Sequence, residues 1–294
     1  MPPWIIAGTV PTDSVTLLQG TPTLKGTDFT LDGATTATAR GTPALVATAL
    51  VCAQVLGIPP PAVLLAGDCG RGAGSRKLYS HLVDHLPALC PRGLTFHYLL
   101  PDVDWQMRIL AVIDNLENRP LLVADAGYMY AVKMSDCAPA FDLFTPDAGE
   151  LAFLADEEAP HPFYTRGFLL ANDSNPQSLI DRAVKNGGAA KALLVKGSTD
   201  HIVCDGKITD SVTIPSCEAM EAIGGTGDTI TGLVTALLMA GYQMRRACLA
   251  AALANRFMAK AANPTPATQI HEIIAHLPKA LEEALTSPFL SDYK

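Results

Sequence analysis

The chain has 294 residues, of which 49% are hydrophobic and 17% are charged. This balance is typical of a compact globular protein and excludes a largely disordered chain. The formal net charge is −8 and the sequence contains no run of basic residues, so nucleic acids and anionic membrane surfaces are excluded as expected partners.

The first ten residues, MPPWIIAGTV, hold a short apolar run with no basic segment before it. This pattern indicates a first strand and not a signal peptide. The apolar stretch at 233–240 is too short to span a bilayer, so we expect no membrane segment. Seven cysteines without any CxxC spacing argue against a zinc site or a disulfide framework, which favours a cytoplasmic protein.

Strand-like apolar runs alternate with helical patterns through most of the chain. The predicted strands lie at 62–67, 94–99, 120–125, 141–146 and 191–197, and the predicted helices at 42–57, 75–89, 104–117 and 175–188. Such alternation predicts a parallel sheet covered by helices. After two further strand-like runs, HIVCDG and KITDSVTI, the chain is predicted to be helical at 224–241, 243–261 and 268–286. The stretch 156–167 is interpreted as a surface loop within one domain.

A Gly-rich segment, AIGGTGDTIT at 222–231, leads directly into an apolar helical pattern. A turn of this kind presents free backbone N–H groups at the positive end of a helix dipole, and such groups bind phosphate oxygens. A carboxylate beside a phosphate is repelled unless it has a chemical role, and Asp228 would suit a general base acting on a hydroxyl or a water. Alternatively, Asp228 caps the helix and the glycines form a tight turn.

A second Gly-rich loop, GDCGRGAGS at 67–75, follows a predicted strand and precedes a helix. Open α/β sheets bind ligands at this position, beyond the carboxyl ends of their strands. The loop matches no phosphate-binding motif, so a structural turn is the favoured interpretation. Its chemically useful side chains are those of Asp68 and Arg71.

Three histidines could in principle be metal ligands, but their spacing in the sequence does not favour a metal site. His81 and His85 are spaced to share one helix face, but no third ligand is evident nearby, so we expect a surface helix. His97 lies in an apolar strand and is expected to be a core residue with satisfied hydrogen bonds.

Four segments, taken in order, carry a family resemblance. They are VADAGYMYAV (123–132), FTPDAGELAFLA (144–155), LLVKGSTDHIVCDGK (193–207) and IGGTGDTITGLVTALLMAGY (223–242). Together they resemble the ribokinase-like superfamily, and within it most closely the ATP/ADP-dependent NAD(P)H-hydrate dehydratases. The resemblance implies a three-layer α/β/α fold with a central, mostly parallel sheet and a helical C-terminal layer, formed as a single domain over 1–294.

The resemblance also implies roles for individual residues. It makes Asp228 the general base, and it places Asn255 beside the adenine of the nucleotide. Lys196, at the end of a predicted strand, could contact phosphate as a point charge. Alternatively, its side chain lies in solvent. The nucleotide-binding residues implied in this way are Lys196, Gly197, Thr199, Gly224, Gly225, Thr226, Gly227 and Asn255.

The segment TPDAGE departs from the pattern of the family. Kinases of the superfamily typically have an Asn-x-x-Glu pattern here, and hydrate dehydratases typically have His in place of that Asn. This chain has Asp147 and Glu150, two carboxylates on one face of a helix start that could bind a hydrated Mg²⁺ through its waters. Capping of the helix by these acidic residues is the alternative.

The leading hypothesis is an enzyme that uses ATP or ADP, with Mg²⁺, to dehydrate hydrated NAD(P)H. A second hypothesis is a small-molecule kinase that phosphorylates an alcohol on a sugar, a thiazole or a pyrimidine with the same base. A third is a nucleotide-binding protein without catalysis. In each case we expect a cytoplasmic homo-oligomer that binds a small molecule, with no nucleic acid or membrane partner.

Overall fold

The computed structural model describes residues 2–14, 16–162 and 175–290. The chain divides into two compact units, one formed by 1–17 and 65–211 and the other by 18–64 and 212–294. Residues 163–167 of the predicted surface loop lie outside the described residues. The assignment of the chain to a single domain stays a prediction.

The strands and helices are numbered in chain order. The strands are β1 (Trp4–Val10), β2 (Leu18–Gly20), β3 (Thr23–Lys25), β4 (Asp28–Leu31), β5 (Ala34–Thr36), β6 (Ala62–Gly67), β7 (Gly93–His97), β8 (Leu121–Asp125), β9 (Leu143–Phe144), β10 (Ala192–Val195), β11 (Asp200–Cys204) and β12 (Lys207–Val212). The helices are α1 (Thr42–Leu56), α2 (Ala73–Leu89), α3 (Val103–Asp114), α4 (Gly127–Met134), α5 (Ala148–Ala155), α6 (Pro176–Lys185), α7 (Thr226–Met239), α8 (Met244–Ala262), α9 (Ile270–Ile274) and α10 (Leu277–Leu285). None of these described helices combines the length and the apolar character needed to cross a bilayer.

The first unit is built on a mostly parallel sheet. Its strand order is β6-β1-β7-β8-β9-β10-β11-β12, and the pairs from β1 to β10 for which the register is defined are parallel, whereas β10 and β11 are antiparallel. Strands β1 and β7 are buried along their whole length, as expected for strands of a parallel sheet covered by helices. Because neighbouring strands are parallel, the carboxyl ends of β7, β8 and β10 lie at one edge of the sheet.

Side-chain caps fix where several helices of this unit begin. The Asp102 carboxylate accepts the N–H of Trp105 at the start of α3, and Asn175 accepts the N–H of Gln177 just before α6, which has Pro176 at its first position. Helix α2 packs against α3, α5 packs against α6, and α4 packs against β8. The helices thereby cover the apolar face of the sheet.

The second unit is mainly helical. Helix α1 packs closely against α7, which in turn packs against α8, and α8 packs against α10. A side chain at Gly232 would lie only 2.4 Å from the Leu45 carbonyl oxygen, so glycine permits the close approach of α7 to α1. Strands β3, β4 and β5 form a small antiparallel sheet in this unit.

The predicted α/β class with a mostly parallel sheet is confirmed, and two predicted elements differ most clearly from expectation. The run at 141–146 forms only the two-residue strand β9. The predicted helix at 268–286 is wrong as one element, because α9 ends at Ile274 and α10 begins at Leu277. Pro278 lacks a backbone N–H and is suited to the first turn of a new helix and not to a helix interior.

Candidate active site

The Gly-rich turn, which we define as Gly224–Asp228, lies in the second unit at the start of α7. Gly225 precedes the helix with φ = 104°, a conformation that other residues rarely adopt. A Cβ atom there would lie 3.0 Å from a side-chain carbon of Ile270 and 3.3 Å from the Ala39 carbonyl oxygen. Both the backbone conformation and the space therefore require glycine at this position.

Asp228 lies in the first turn of α7 and is 8% exposed. Its Oδ2 accepts a hydrogen bond of 2.6 Å from the backbone N–H of Gly41, the residue that precedes α1. The N-terminal ends of α1 and α7 thus lie next to each other at this carboxylate. The backbone N–H of Gly41 thus holds the Asp228 carboxylate in place at the Gly-rich turn, and the role of Asp228 as a general base stays a prediction.

The turn offers backbone donors to a ligand. Within the described residues, the backbone N–H groups of Thr226 and Gly227 donate to no protein acceptor. The Thr226 hydroxyl donates to the carbonyl oxygens of Met220 and Ile223, so it holds the turn to the preceding segment. Unpaired N–H groups at the N-terminus of a helix favour an anion such as phosphate.

Asn255 supports this turn from α8. Its side chain is 6% exposed, and its Oδ1 accepts a hydrogen bond of 2.6 Å from the Thr229 hydroxyl. The Asn255 amide also lies 3.5 Å from the Thr226 carbonyl oxygen, at the limit of a hydrogen bond. The structure places Asn255 against the first turn of α7, while its predicted contact with adenine stays a prediction.

A second group of charged residues lies in the first unit, at the carboxyl edge of the sheet. We define the sheet-edge cluster as His97, Asp125 and Lys196. His97 and Asp125 are paired residues at the ends of β7 and β8, and both are buried. The Lys196 ammonium lies 2.9 and 3.1 Å from the two Asp125 oxygens, and His97 Nε2 lies 3.6 Å from Asp125 Oδ2. The cluster brings a cation, a carboxylate and an imidazole together in a region removed from solvent.

The predicted nucleotide-binding residues near Lys196 lie in the connection from β10 to β11. The Lys196 backbone N–H donates to the Pro146 carbonyl oxygen, and the Gly197 N–H donates to Asp200 Oδ1. Thr199 follows in the same connection. The first unit thus brings Lys196, Gly197 and Thr199 together, while the second unit brings the Gly-rich turn together with Asn255. Their contacts with a nucleotide stay predictions.

Asp147 and Glu150 form a capping box at the start of α5. Asp147 Oδ1 accepts the N–H of Glu150, and Glu150 Oε2 accepts the N–H of Asp147, each at 2.8 Å. The Tyr130 hydroxyl donates to Glu150 Oε1 at 3.3 Å. Burial of the carboxyl group, reinforced by Asp125 and Asp147, raises the pKa of Glu150 to about 8 against the opposing effect of Lys196. The capping alternative is therefore present, and the role of the pair as a metal site stays a prediction.

The remaining sequence candidates have structural explanations. The Asp68 carboxylate accepts the backbone N–H groups of Gly70, Arg71 and Gly72, which makes 67–75 a tightly held turn. The rings of His81 and His85 stack on each other with centroids 4.1 Å apart on helix α2. Neither observation adds a ligand site.

Sequence reasoning missed three contributors to these two regions. Asp125 and His97 lie side by side because β7 and β8 are neighbouring strands, and the sequence alone does not reveal this pairing. The signal for Asp125 was its place at the end of a predicted strand, in the segment VADAGYMYAV. Gly41 was not identified, because its N–H reaches Asp228 across 187 positions of the chain.

Comparisons with known proteins agree with this fold and these motifs. A family model described as NAD(P)H-hydrate dehydratase, of the carbohydrate kinase type, matches residues 101–283. The uncharacterized protein MJ1337 of Methanocaldococcus jannaschii is 41% identical over 224 residues, which are 76% of this chain and 92% of that protein.

Solved structures share the fold at low sequence identity. A ribokinase-like superfamily protein of Enterococcus faecalis aligns with a TM-score of 0.54 at 13% identity, over 96% of this chain and 87% of that one. Phosphofructokinase-2 of Escherichia coli aligns with a TM-score of 0.51 at 11% identity, over 96% of this chain and all of its own.

The fold and the Gly-rich turn define a ribokinase-like α/β protein with the features of a nucleotide-binding enzyme. The matched segment contains Asp125, Asp147, Glu150, Lys196 and Asp228. The chain belongs to the carbohydrate kinase family whose model is described as NAD(P)H-hydrate dehydratase.

Proposed function

We propose that this protein uses ATP or ADP to dehydrate hydrated NAD(P)H. The observation that carries the proposal is the Asp228 carboxylate, fixed by the Gly41 N–H beside the unpaired N–H groups of Thr226 and Gly227. A proton acceptor and an anion-binding helix start on adjacent residues are the two parts that phosphoryl transfer to a hydroxyl requires. Asp228 also lies inside the segment that the family model matches.

The residues of the Gly-rich turn fit a nucleotide phosphate. Among the residues that the structure describes, the N–H groups of Thr226 and Gly227 have no acceptor, and the dipole of α7 favours an anion at the same place. Gly225 lets the backbone adopt the conformation that precedes these donors, with no Cβ to meet Ile270 or the Ala39 carbonyl oxygen. A bound nucleotide supplies the phosphoryl group that converts the hydroxyl of the hydrated ring into a better leaving group.

The residues of the chain then have separate tasks. Asp228 accepts the proton of the substrate hydroxyl as the oxygen–phosphorus bond forms. The N–H groups of Thr226 and Gly227 stabilise the negative charge that develops on the phosphoryl oxygens. The bond between the transferred phosphoryl group and the rest of the nucleotide breaks as the oxygen–phosphorus bond forms. Cleavage of the carbon–oxygen bond then releases phosphate, a ring proton passes to water, and the double bond of the reduced nicotinamide is restored. Asn255 and Thr229 keep the turn in the geometry that these steps need.

Asp147 and Glu150 do not fit Mg²⁺ as direct ligands. Three of their four carboxylate oxygens already accept hydrogen bonds, from two backbone N–H groups and from Tyr130. Burial also raises the pKa of Glu150, so the deprotonation that a metal ligand needs is less favourable here than in an exposed glutamate. No step of the proposed reaction is assigned to Mg²⁺, and a hydrated ion held through its waters by Asp147 and Glu150 stays a prediction.

A small-molecule kinase is the second candidate, because the position that distinguishes the two branches of the family matches neither of them. Asp147 occupies the position where hydrate dehydratases typically carry His, and it caps α5 instead of presenting an imidazole. A kinase would use the same base and the same donors and would stop at the phosphate ester. In either case we propose a cytoplasmic homo-oligomer acting on a small molecule.

The proposal is tested by the recovery of reduced-nicotinamide absorbance when the purified protein, Mg²⁺ and either ATP or ADP are added to hydrated NADH. We expect recovery with the native protein and its loss in Asp228→Asn, which keeps an acceptor for the Gly41 N–H. Asp104→Asn, which changes an exposed aspartate in the first turn of α3, is the matched control and should retain activity. A stable phosphorylated product from an alcohol, without any recovery from hydrated NADH, would favour the kinase.

A further inference from the structure

Arg40 is an exposed arginine in the segment that joins β5 to α1, and its side chain lies against the Gly-rich turn. A Cβ atom at Gly224 would lie 3.1 Å from Cδ of Arg40 and 3.6 Å from its Cβ. Gly224 does not have a positive φ, so its backbone conformation does not require glycine. The space that the aliphatic part of Arg40 occupies therefore accounts for glycine at this position.

The residues on either side of Arg40 also contact the turn. A Cβ atom at Gly225 would lie 3.3 Å from both the Ala39 carbonyl oxygen and the Arg40 Cα. The next residue along the chain, Gly41, donates its backbone N–H to Asp228 Oδ2 at 2.6 Å. Three consecutive residues thus hold the base of the Arg40 side chain at the turn, and all the residues of this arrangement belong to the second unit.

The charged end of Arg40 is available to a ligand. Among the residues that the structure describes, its guanidinium forms neither a hydrogen bond nor an ion pair. Arg256 of the same unit, in contrast, donates from its guanidinium to the carbonyl oxygens of Thr213 and Pro215. A guanidinium carries five N–H donors in a planar fork that matches the oxygens of a phosphate. Arg40 thus adds a positive charge, with its donors, to the edge of the Gly-rich turn.

The charges at the turn give this cation a role. The turn offers an anion uncharged N–H groups, while Asp228 places a buried carboxylate in the first turn of the same helix. A carboxylate and a phosphate repel each other, and a cation close to the phosphate offsets this repulsion. A guanidinium binds phosphate bidentately through charge-assisted hydrogen bonds, which are roughly twice as strong as those between neutral groups.

We propose that Arg40 binds the phosphate group held at the Gly-rich turn and supplies the positive charge beside it. The proposal rests on the proposed function, in which that phosphate belongs to ATP or ADP. Arg40 precedes the segment 101–283 that the family model matches, so the family match does not supply this residue. Its guanidinium offsets the repulsion between the phosphate and Asp228, which otherwise opposes binding.

The test measures the binding of ADP and of inorganic pyrophosphate by calorimetry, without turnover. Arg40→Gln removes the charge and keeps the aliphatic part that packs against Gly224. It should weaken the affinity for both probes about tenfold, as expected for the loss of one charge-assisted hydrogen bond. Because Arg40 is exposed, the ratio of the native affinity to that of Arg40→Gln should fall toward one when the salt concentration rises from about 0.05 M to about 0.5 M.

Two controls separate phosphate binding from a structural role. Lys279→Gln removes an exposed positive charge of α10 in the same unit and should bind both probes as the native protein does. The melting temperature of Arg40→Gln should equal that of the native protein within the error of the measurement.

Three outcomes overturn the proposal. The native protein binds neither probe, Arg40→Gln binds with unchanged affinity every probe that the native protein binds, or its loss of affinity is the same at low and at high salt. A loss of affinity that is independent of salt and accompanied by a lower melting temperature would assign Arg40 a structural role only.

The outcome for Arg40 is also distinguishable from that for the proposed function. If the native protein binds a phosphate probe in an Arg40-dependent way but never restores hydrated NADH, the dehydratase proposal fails and the role of Arg40 stands. If hydrated NADH is restored equally well by Arg40→Gln and the native protein, with equal affinities for ADP and pyrophosphate, the role of Arg40 fails and the dehydratase proposal stands.

Discussion

Two buried aspartates, one in each unit, have their charges satisfied in different ways. Asp228 receives a backbone N–H from Gly41 at the junction of two helix starts. Asp125 lies against the Lys196 ammonium and near the His97 ring, and its Oδ1 also accepts the Ala126 N–H. A hydrogen bond from a backbone N–H fixes the position of a carboxylate without adding a charge. An ion pair, in contrast, needs both charged partners in place. The printed contacts of the two carboxylates thus differ in kind, with a backbone donor for Asp228 and a side-chain cation for Asp125.

The largest expected effect on stability is that of Lys196→Met. Removal of the ammonium leaves the buried Asp125 carboxylate without its cation, which costs about 3–5 kcal/mol. Asp228→Asn, by contrast, keeps a hydrogen-bond acceptor and should change the free energy of unfolding by no more than about 1 kcal/mol. Urea unfolding of the two variants beside the native protein provides the measurement.

A double variant makes this comparison more specific. Asp125→Asn combined with Lys196→Met removes both charges, so it should recover part of the stability that Lys196→Met loses. Equal unfolding free energies for the native protein and Lys196→Met would contradict the structural role of the ion pair. That outcome would leave Lys196 as a residue whose main task is the predicted contact with phosphate.

The next effect concerns the backbone of the Gly-rich turn. Gly225→Ala forces an L-residue into φ = 104° and brings a Cβ atom to 3.0 Å from Ile270, so we expect a loss of about 2–3 kcal/mol together with reduced nucleotide binding. Gly33→Ala is the matched control, because Gly33 also has a positive φ of 76° but no atom within 4 Å of the added Cβ. Its cost should be about 1 kcal/mol, with nucleotide binding unchanged. Similar losses in both variants would mean that crowding at the turn is unimportant.

The sequence predicted much of the fold because local patterns determine it. The strand-like run at 62–67 coincides with β6, and the helical pattern at 42–57 differs from α1 by one residue. The split between α9 and α10 was not predicted, because apolar periodicity continues across it and only Pro278 signals the break. At the site, Asp228 was identified from a continuous motif. Gly41 and the pairing of His97 with Asp125 depend on tertiary contacts that one sequence does not reveal.

Asn255 offers a test of smaller magnitude that separates two roles. As a support for α7 it accepts the Thr229 hydroxyl, so Asn255→Ala should cost about 1–2 kcal/mol and should also reduce turnover, because the turn that carries Asp228 loosens. A contact with adenine alone would raise the KM for the nucleotide and leave both stability and kcat unchanged. Thermal unfolding and steady-state kinetics of this variant, with Thr229→Val as a second way to remove the hydrogen bond, distinguish the two roles.

The last expected effect is the pH dependence that Glu150 gives to the first unit. Its carboxyl group is surrounded by Asp125, Asp147, Lys196 and Tyr130, and burial is the main cause that raises its pKa to about 8. The folded state therefore retains a proton that the unfolded state releases above its ordinary pKa of 4.5. The contribution of this proton to stability is complete at low pH and is lost progressively as the pH rises toward about 8.

Glu150→Gln imitates the protonated side chain and keeps an acceptor for the Asp147 N–H. Relative to the native protein, this variant should gain stability as the pH rises from about 5 to about 8, which urea unfolding across that range would measure. The exposed Glu117→Gln should follow the native curve. A constant difference between Glu150→Gln and the native protein at all pH values would mean that Glu150 is ionised in the folded state. Glu150 would then be available as a metal ligand. The comparison of Asp125 with Asp228 would have to include this carboxylate of the first unit as well.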